Sequence, residues 1–79
     1  MSDEEYFTNW AAEYSATAQT LKERIHELQS RMKHAKNMEA ARLSARIEIL
    51  YAGYRDCTGV ARDLLAHARR AAAREQNKN

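Results

Sequence analysis

Apolar residues recur along the second half of the chain at alternating steps of four and three, the spacing of one face of an α-helix. This stripe comprises Leu43, Ile47, Leu50, Tyr54, Cys57, Ala61, Leu64 and Ala68. A matching stripe in the first half comprises Phe7, Trp10, Tyr14, Ala18, Leu21, Ile25, Leu28 and Met32. The pattern therefore predicts two long amphipathic helices.

The two stripes mirror each other in residue size. If the helices pack antiparallel, residues whose numbers sum to about 75 lie opposite one another. Tyr14 then faces Ala61 and Phe7 faces Ala68, and large residues mostly face small ones along the seam between the helices. A close-packed helix–helix interface requires such size matching. The predicted fold is all-α, an antiparallel two-helix hairpin that resembles a coiled coil.

The composition agrees with a single helical domain over residues 1–79. The chain contains no proline and only two glycines, and 30% of its residues are charged, so few positions interrupt a helix. No stretch approaches the ~20 apolar residues that span a bilayer, and no signal-peptide pattern opens the chain, so we expect a cytoplasmic protein. Cys57 cannot form an internal disulfide and is expected in the core, where a thiol acts as a small hydrophobic group.

Capping residues predict where the helices begin and end. Ser2 and Glu5 fit a capping box, so helix one is expected at about residues 3–35. Asn37 suits a left-handed cap, which predicts a turn at about 36–38, helix two at about 39–74 and a polar tail at 75–79. An alternative keeps the helix unbroken through Asn37, and Gly59 could instead end helix two early.

Helix two is also apolar away from its stripe. Two helices cannot cover this additional surface, and a two-helix hairpin has too small a core to offset chain entropy comfortably. We therefore predict a homodimer that forms a four-helix bundle; a different protein could cover the same surface instead. The residues predicted for this interface are Ile49, Tyr51, Gly53, Val60 and Leu65.

Charge is unevenly distributed along the chain. Residues 1–20 contain four acidic residues and neither lysine nor arginine, whereas basic residues surround the turn. The basic residues predicted to form a contact patch at the hairpin tip are Arg31, Lys33, Lys36, Arg42 and Arg46. A solvated surface explains them simply, and nucleic-acid phosphate or an acidic protein is the alternative partner. The net charge of +2 is low for a dedicated nucleic-acid-binding protein.

Sequence motifs for catalysis or cofactor binding are missing. The three histidines do not form a metal-binding i, i+4 pair with one another, and neither a Cys-x-x-Cys nor a glycine-rich phosphate loop occurs. Cys57 and His67 are ten positions apart, or about 15 Å along a helix, too far for a nucleophile–base pair. We therefore expect no enzyme activity, catalytic residue, cofactor, metal or small-molecule substrate.

The segment from Arg42 to Cys57 reads Arg-Leu-Ser-Ala-Arg-Ile-Glu-Ile-Leu-Tyr-Ala-Gly-Tyr-Arg-Asp-Cys. It resembles small helical proteins of conjugative elements and prophages in Gram-positive bacteria. The resemblance implies a bacterial, mobile-element setting and brings no site residues with it. The apolar face of helix two leads us to expect a small interaction or adaptor protein. The alternative is a nucleic-acid-associated accessory protein of a mobile element that uses the basic tip.

Overall fold

The computed structural model describes residues 1–77, which form two helices packed against each other as a hairpin. Helix α1 spans Asp3–Met32 and helix α2 spans Asn37–Gln76. The molecule measures 65 × 14 × 14 Å. Its radius of gyration of 18.1 Å compares with about 12 Å for a compact domain of this length. The all-α hairpin is thus confirmed, in the form of a narrow rod.

The start of α1 follows the capping pattern. The backbone N–H of Glu5 donates to the Ser2 hydroxyl at 3.2 Å, which satisfies one of the free donors of the first turn. Asp3, Glu4 and Glu5 place negative charge in that turn, where the helix dipole favours it. At this end of α1, local sequence therefore determines the structure.

The chain reverses at residues 33–36, earlier than expected. Helix α1 ends at Met32, three residues before the predicted end, and α2 begins at Asn37, two residues before its predicted start. Asn37 has the expected left-handed backbone, with φ of 55°, but it opens α2 instead of following α1. Helix α2 passes through Gly59 without a break and includes Glu75 and Gln76 of the predicted tail. The last two tail residues, 78 and 79, lie outside the described residues.

The left-handed conformation at Asn37 gives a direct test of the turn. The left-handed conformation costs a residue with a β-carbon about 1–2 kcal/mol. Asparagine tolerates it because its short polar side chain can form local hydrogen bonds, and alanine has no such side chain. We expect Asn37→Ala to lower the free energy of unfolding by about 1 kcal/mol, and Asn37→Gly to leave it unchanged or raise it. Urea denaturation followed by circular dichroism measures both; equal effects of alanine and glycine would contradict the assigned backbone.

The core runs along the seam between the helices, and its large buried side chains lie mostly near the turn. Ile25, Leu28 and Leu43 are buried in the half nearer the turn, and Leu28 has no exposed surface. Towards the chain ends, alanines make up most of the buried positions, with Leu64 as the large exception. The buried residues of that half are Ala11, Ala18, Ala61, Leu64, Ala68 and Ala71.

One position of the predicted seam is wrong. Trp10, expected in the stripe, is 39% exposed, and the neighbouring Ala11 is buried instead. With Ala11 in its place, the stripe of α1 keeps alternating steps of four and three between Phe7 and Tyr14. Cys57, predicted in the core, is only half-buried.

Two contacts report how the helices are aligned. The Cδ1 atom of Leu21 lies 3.4 Å from the position that a Cβ atom on Gly53 would occupy. The rings of Phe7 and His67 stack with their centroids 5.4 Å apart. Leu21 was predicted to face Tyr54 and contacts its neighbour Gly53, and Phe7 was predicted to face Ala68 and contacts its neighbour His67. The alignment inferred from mirrored residue size therefore describes the packing to within one position.

Candidate interaction surfaces

The apolar residues predicted for an interface are largely exposed. Ile49 is 72% exposed, Leu65 39% and Val60 36%. The large side chain of Tyr51 is exposed as well. Gly53 differs from them, since it is half-buried against Leu21 of α1. Four of the five residues are thus available to a partner, whereas Gly53 contributes to the packing within the hairpin.

The exposed residues do not share one face of α2. At 100° per residue, Val60 lies only about 20° around the helix from Ile49, whereas Leu65 and Tyr51 lie about 160° and 200° away. The seam with α1 separates the two groups. We call the side with Ile49 and Val60 the Ile49 face, and the side with Tyr51 and Leu65 the Tyr51 face. The single continuous interface expected from the sequence is therefore divided in two.

The Tyr51 face is a mixed aromatic and basic surface. The ring of Tyr51 lies 6.0 Å from that of Tyr54, and the guanidinium carbon of Arg55 lies 5.3 Å from the Tyr51 ring centroid. Such a cation–π contact lets the arginine cover the ring while its charge stays in water. A groove of about 160 Å³ lies beside these tyrosines. It is lined by Lys22, Ile25, His26, Gln29, Tyr51 and Tyr54.

An aromatic cluster lies at the end of the rod that holds the first turn of α1. Tyr6 contacts both Phe7 and Trp10, with ring centroids 5.4 and 5.8 Å apart. Phe7 in turn stacks on His67, which joins the cluster to α2. A groove of about 420 Å³ runs past Tyr6 and Trp10. The sequence places Tyr6 off the apolar stripe but Trp10 within it, so the exposure of Trp10 was not predicted. The signal that could have revealed it is that Ala11, and not Trp10, continues the alternating steps of four and three.

The basic residues at the tip are all exposed. Arg31 lies in the last turn of α1, Lys33 and Lys36 lie in the reversal, and Arg42 and Arg46 lie in the first turns of α2. Within residues 1–77, the single ion pair joins Arg24 and Glu27 at 2.7 Å. None of the five basic residues at the tip is therefore paired with an acidic side chain of the described chain. The tip consequently presents concentrated positive charge to solvent.

His67 is the candidate chemical group that takes part in structural contacts. The Arg70 guanidinium donates to Nδ1 of His67 at 2.9 Å, while the same imidazole stacks on Phe7. Cys57 is half-buried beside the seam. In the part of the chain described, no three His, Cys, Asp or Glu side chains are grouped as a metal ion would require. The exposed surfaces are the features that suggest a role.

Comparisons with family models, curated proteins and solved structures found no match to this chain. Within residues 1–77, neither helix is both long and apolar enough to cross a membrane. The mobile-element setting suggested by the Arg42 to Cys57 segment remains a prediction.

Proposed function

We propose that the protein is a non-enzymatic interaction or adaptor module that acts as a homodimer, with two hairpins forming a four-helix bundle. The observation that carries this proposal is the exposure of large apolar side chains on α2, above all Ile49 at 72%. An isolated exposed hydrophobic residue needs no explanation, but several along one helix of a small protein indicate a binding surface.

The surface area of the hairpin supports the same proposal. Its accessible surface is 6057 Å². A compact protein of 9.1 kDa exposes about 4,900 Å², so the hairpin has an excess of roughly 1,200 Å². A stable interface buries about 800 Å² on each partner. Burial of one face against a second chain would bring the protomer close to the surface expected for its mass.

Solution mass tests the homodimer. Because apolar burial drives the proposed association, we expect twice the chain mass by light scattering after size exclusion, at both 50 mM and 500 mM salt as representative low and high concentrations. A monomer at every concentration up to about 100 µM would contradict the homodimer, since an interface of standard size normally holds at far lower concentrations.

A second candidate function is supported by the exposed basic tip. Five cationic side chains without acidic partners in the described chain could bind nucleic-acid phosphates or an acidic protein surface. Under this alternative the protein is a nucleic-acid-associated accessory factor, and its binding is electrostatic and insensitive to base sequence.

Charge reversal in the turn distinguishes this alternative. The double variant Lys33→Glu plus Lys36→Glu should weaken binding to a random duplex DNA by about tenfold or more, because two phosphate contacts become repulsive. Fluorescence anisotropy across a salt series measures the affinity and its salt dependence. The dimer mass of the same variant is the control, since both lysines lie in the reversal outside the apolar faces. DNA binding that is unchanged, or undetectable in the unmodified protein, would rule out this function.

A further inference from the structure

A row of residues on the Ile49 face runs along most of α2. At steps of three and four, it reads Glu39, Arg42, Arg46, Ile49, Gly53, Asp56, Val60, Asp63, His67 and Arg70. Every member of this row except Gly53 is exposed. The row mixes two aliphatic residues with charges of both signs, in an order that is complementary to its own reverse.

We propose that this row packs against the same row of a second copy, with the two α2 helices antiparallel about a two-fold axis. Residues whose numbers sum to about 109 then face each other, and every contact occurs twice because the interface is isologous. This arrangement rests on the proposed homodimer and specifies which face forms it and in which register.

The apolar part of the row becomes self-complementary in this arrangement. Ile49 faces Val60 of the second copy, and Val60 faces Ile49. These are the two exposed β-branched residues of the face, at 72% and 36% exposure. Asp56 faces Gly53, which presents no side chain, so the carboxylate can turn towards water.

Two of the three ionisable pairs of the row are complementary as well, whereas the third sets Arg42 opposite His67. Arg46 faces Asp63 of the second copy, and Glu39 faces Arg70, which gives four ion pairs over the whole interface. Within residues 1–77, Glu39, Arg46 and Asp63 have no ion-pair partner in their own chain. Association therefore joins opposite charges that are separated in the single hairpin, which favours specific docking.

Neighbouring registers of the same face are less favourable. A shift of one heptad to a sum of about 102 keeps an ion pair, between Arg46 and Asp56, but places Glu39 opposite Asp63 and no longer sets Ile49 against Val60. A shift to about 116 places Arg46 opposite Arg70. Like charges that face each other across an interface oppose association. The charge order thus selects the register that also pairs Ile49 with Val60.

The Tyr51 face is a poorer surface for self-association. On α2 it carries Arg55, Arg62 and Arg69 and the single acidic residue Glu48. Two copies that met there would bring excess positive charge together. Charge therefore favours the Ile49 face for the second copy.

Charge exchange between two positions tests the arrangement. Arg46→Asp alone sets two aspartates against each other, and Asp63→Arg alone sets two arginines against each other; each should raise the dimer dissociation constant about tenfold. The double variant restores the pairing and should bind within about threefold of the unmodified protein. Arg62→Asp makes the same charge change as Arg46→Asp on the Tyr51 face and should have no effect. Sedimentation equilibrium measures the dissociation constants of the four variants and of the unmodified protein.

A cross-link provides a second readout that does not depend on charge. In a Cys57→Ala background, mixed Ile49→Cys and Val60→Cys proteins should form a disulfide-linked dimer on mild oxidation, because the two positions face each other. Ile49→Cys alone should not cross-link efficiently, because its two copies would lie about 16 Å apart along the helices. A mixture of Tyr51→Cys and Leu65→Cys proteins serves as the control for the other face.

The outcomes separate this arrangement from the homodimer itself. A monomeric unmodified protein would overturn both. A dimer in which the double charge variant is no better than either single variant, or which cross-links through Tyr51 and Leu65, would overturn the Ile49-face arrangement and leave the homodimer standing. Rescue together with the Ile49–Val60 cross-link supports it.

Discussion

Replacement of Leu28 by alanine should remove most of the helical structure at room temperature. Leu28 has no exposed surface, and truncation of a buried leucine costs about 2–5 kcal/mol through lost burial and the cavity that remains. A chain of this length has a total stability of about 4–12 kcal/mol. A hairpin with so few large buried side chains belongs at the lower end of that range. Circular dichroism at 222 nm, followed during urea denaturation, measures the effect.

The matched control for this variant is Leu65→Ala. It makes the same chemical change in the same protein, at a side chain that is 39% exposed and lies off the seam. We expect a loss below about 1 kcal/mol, since little burial is given up and no cavity forms. If the two variants unfolded at the same urea concentration, Leu28 would not be the centre of the core.

The double variant Ile49→Asp plus Val60→Asp should convert the proposed dimer to a monomer. Each side chain contributes about 1.5–3 kcal/mol when it is buried, and each occurs twice in a symmetric interface. The aspartates would in addition bury charge without a partner. We therefore expect the dissociation constant to rise by about a thousandfold or more. Light scattering after size exclusion measures the mass, and the melting temperature should fall because dimer formation no longer stabilises the fold.

The control for the aspartate variant adds the same negative charge elsewhere. Ser15→Asp plus Ser44→Asp changes two exposed residues on the side of the hairpin that bears the Tyr51 face. Its mass should remain that of the unmodified protein. An equal loss of the dimer in both variants would mean that net charge, and not the Ile49 face, governs association. An unchanged mass and melting temperature for the Ile49 and Val60 variant would refute the interface.

Most of the fold could be predicted because the apolar pattern is regular over many turns. Steps of four and three fixed the helical period, and the mirrored sizes of the two stripes fixed the antiparallel alignment to within one residue at Leu21 and Phe7. The Ser2 cap could be predicted because it depends only on residues that are close in the sequence. These features depend on neighbours along the chain or on a repeating pattern, both of which the sequence contains.

The errors arose where three-dimensional geometry decides between adjacent residues. Trp10 fits the predicted stripe by its spacing, yet the seam at that level accommodates the small Ala11 and leaves the large indole at its edge. The helix ends were misplaced because the chain needs residues 33–36 to reverse direction between helices that lie side by side. Neither the space available at a seam nor the geometry of a reversal can be read from hydrophobicity.

The candidate interface was predicted in part for a related reason. The sequence identified exposed apolar residues of α2, but their angular positions divide them into two faces, and the seam lies between these faces. Gly53 was predicted at the interface, but its close neighbour is Leu21 of the same chain. The number of apolar residues indicates how much apolar surface the hairpin leaves uncovered. The angular positions of these residues around α2 indicate which of them a single partner can cover.

The uneven core has a consequence for how the hairpin opens. Ile25, Leu28 and Leu43 are buried near the reversal, where the two helices are also closest along the sequence, so contacts there cost the least loop-closure entropy. In the half that holds the chain ends, most of the buried residues are alanines, beside Leu64 and the stacked rings of Phe7 and His67, and the contacts close the longest loops. Local unfolding should therefore begin at the chain ends and move towards the turn. The contacts of these three aliphatic residues should be the last to be lost. The aromatic cluster of Tyr6, Phe7 and Trp10 lies on the half that opens first.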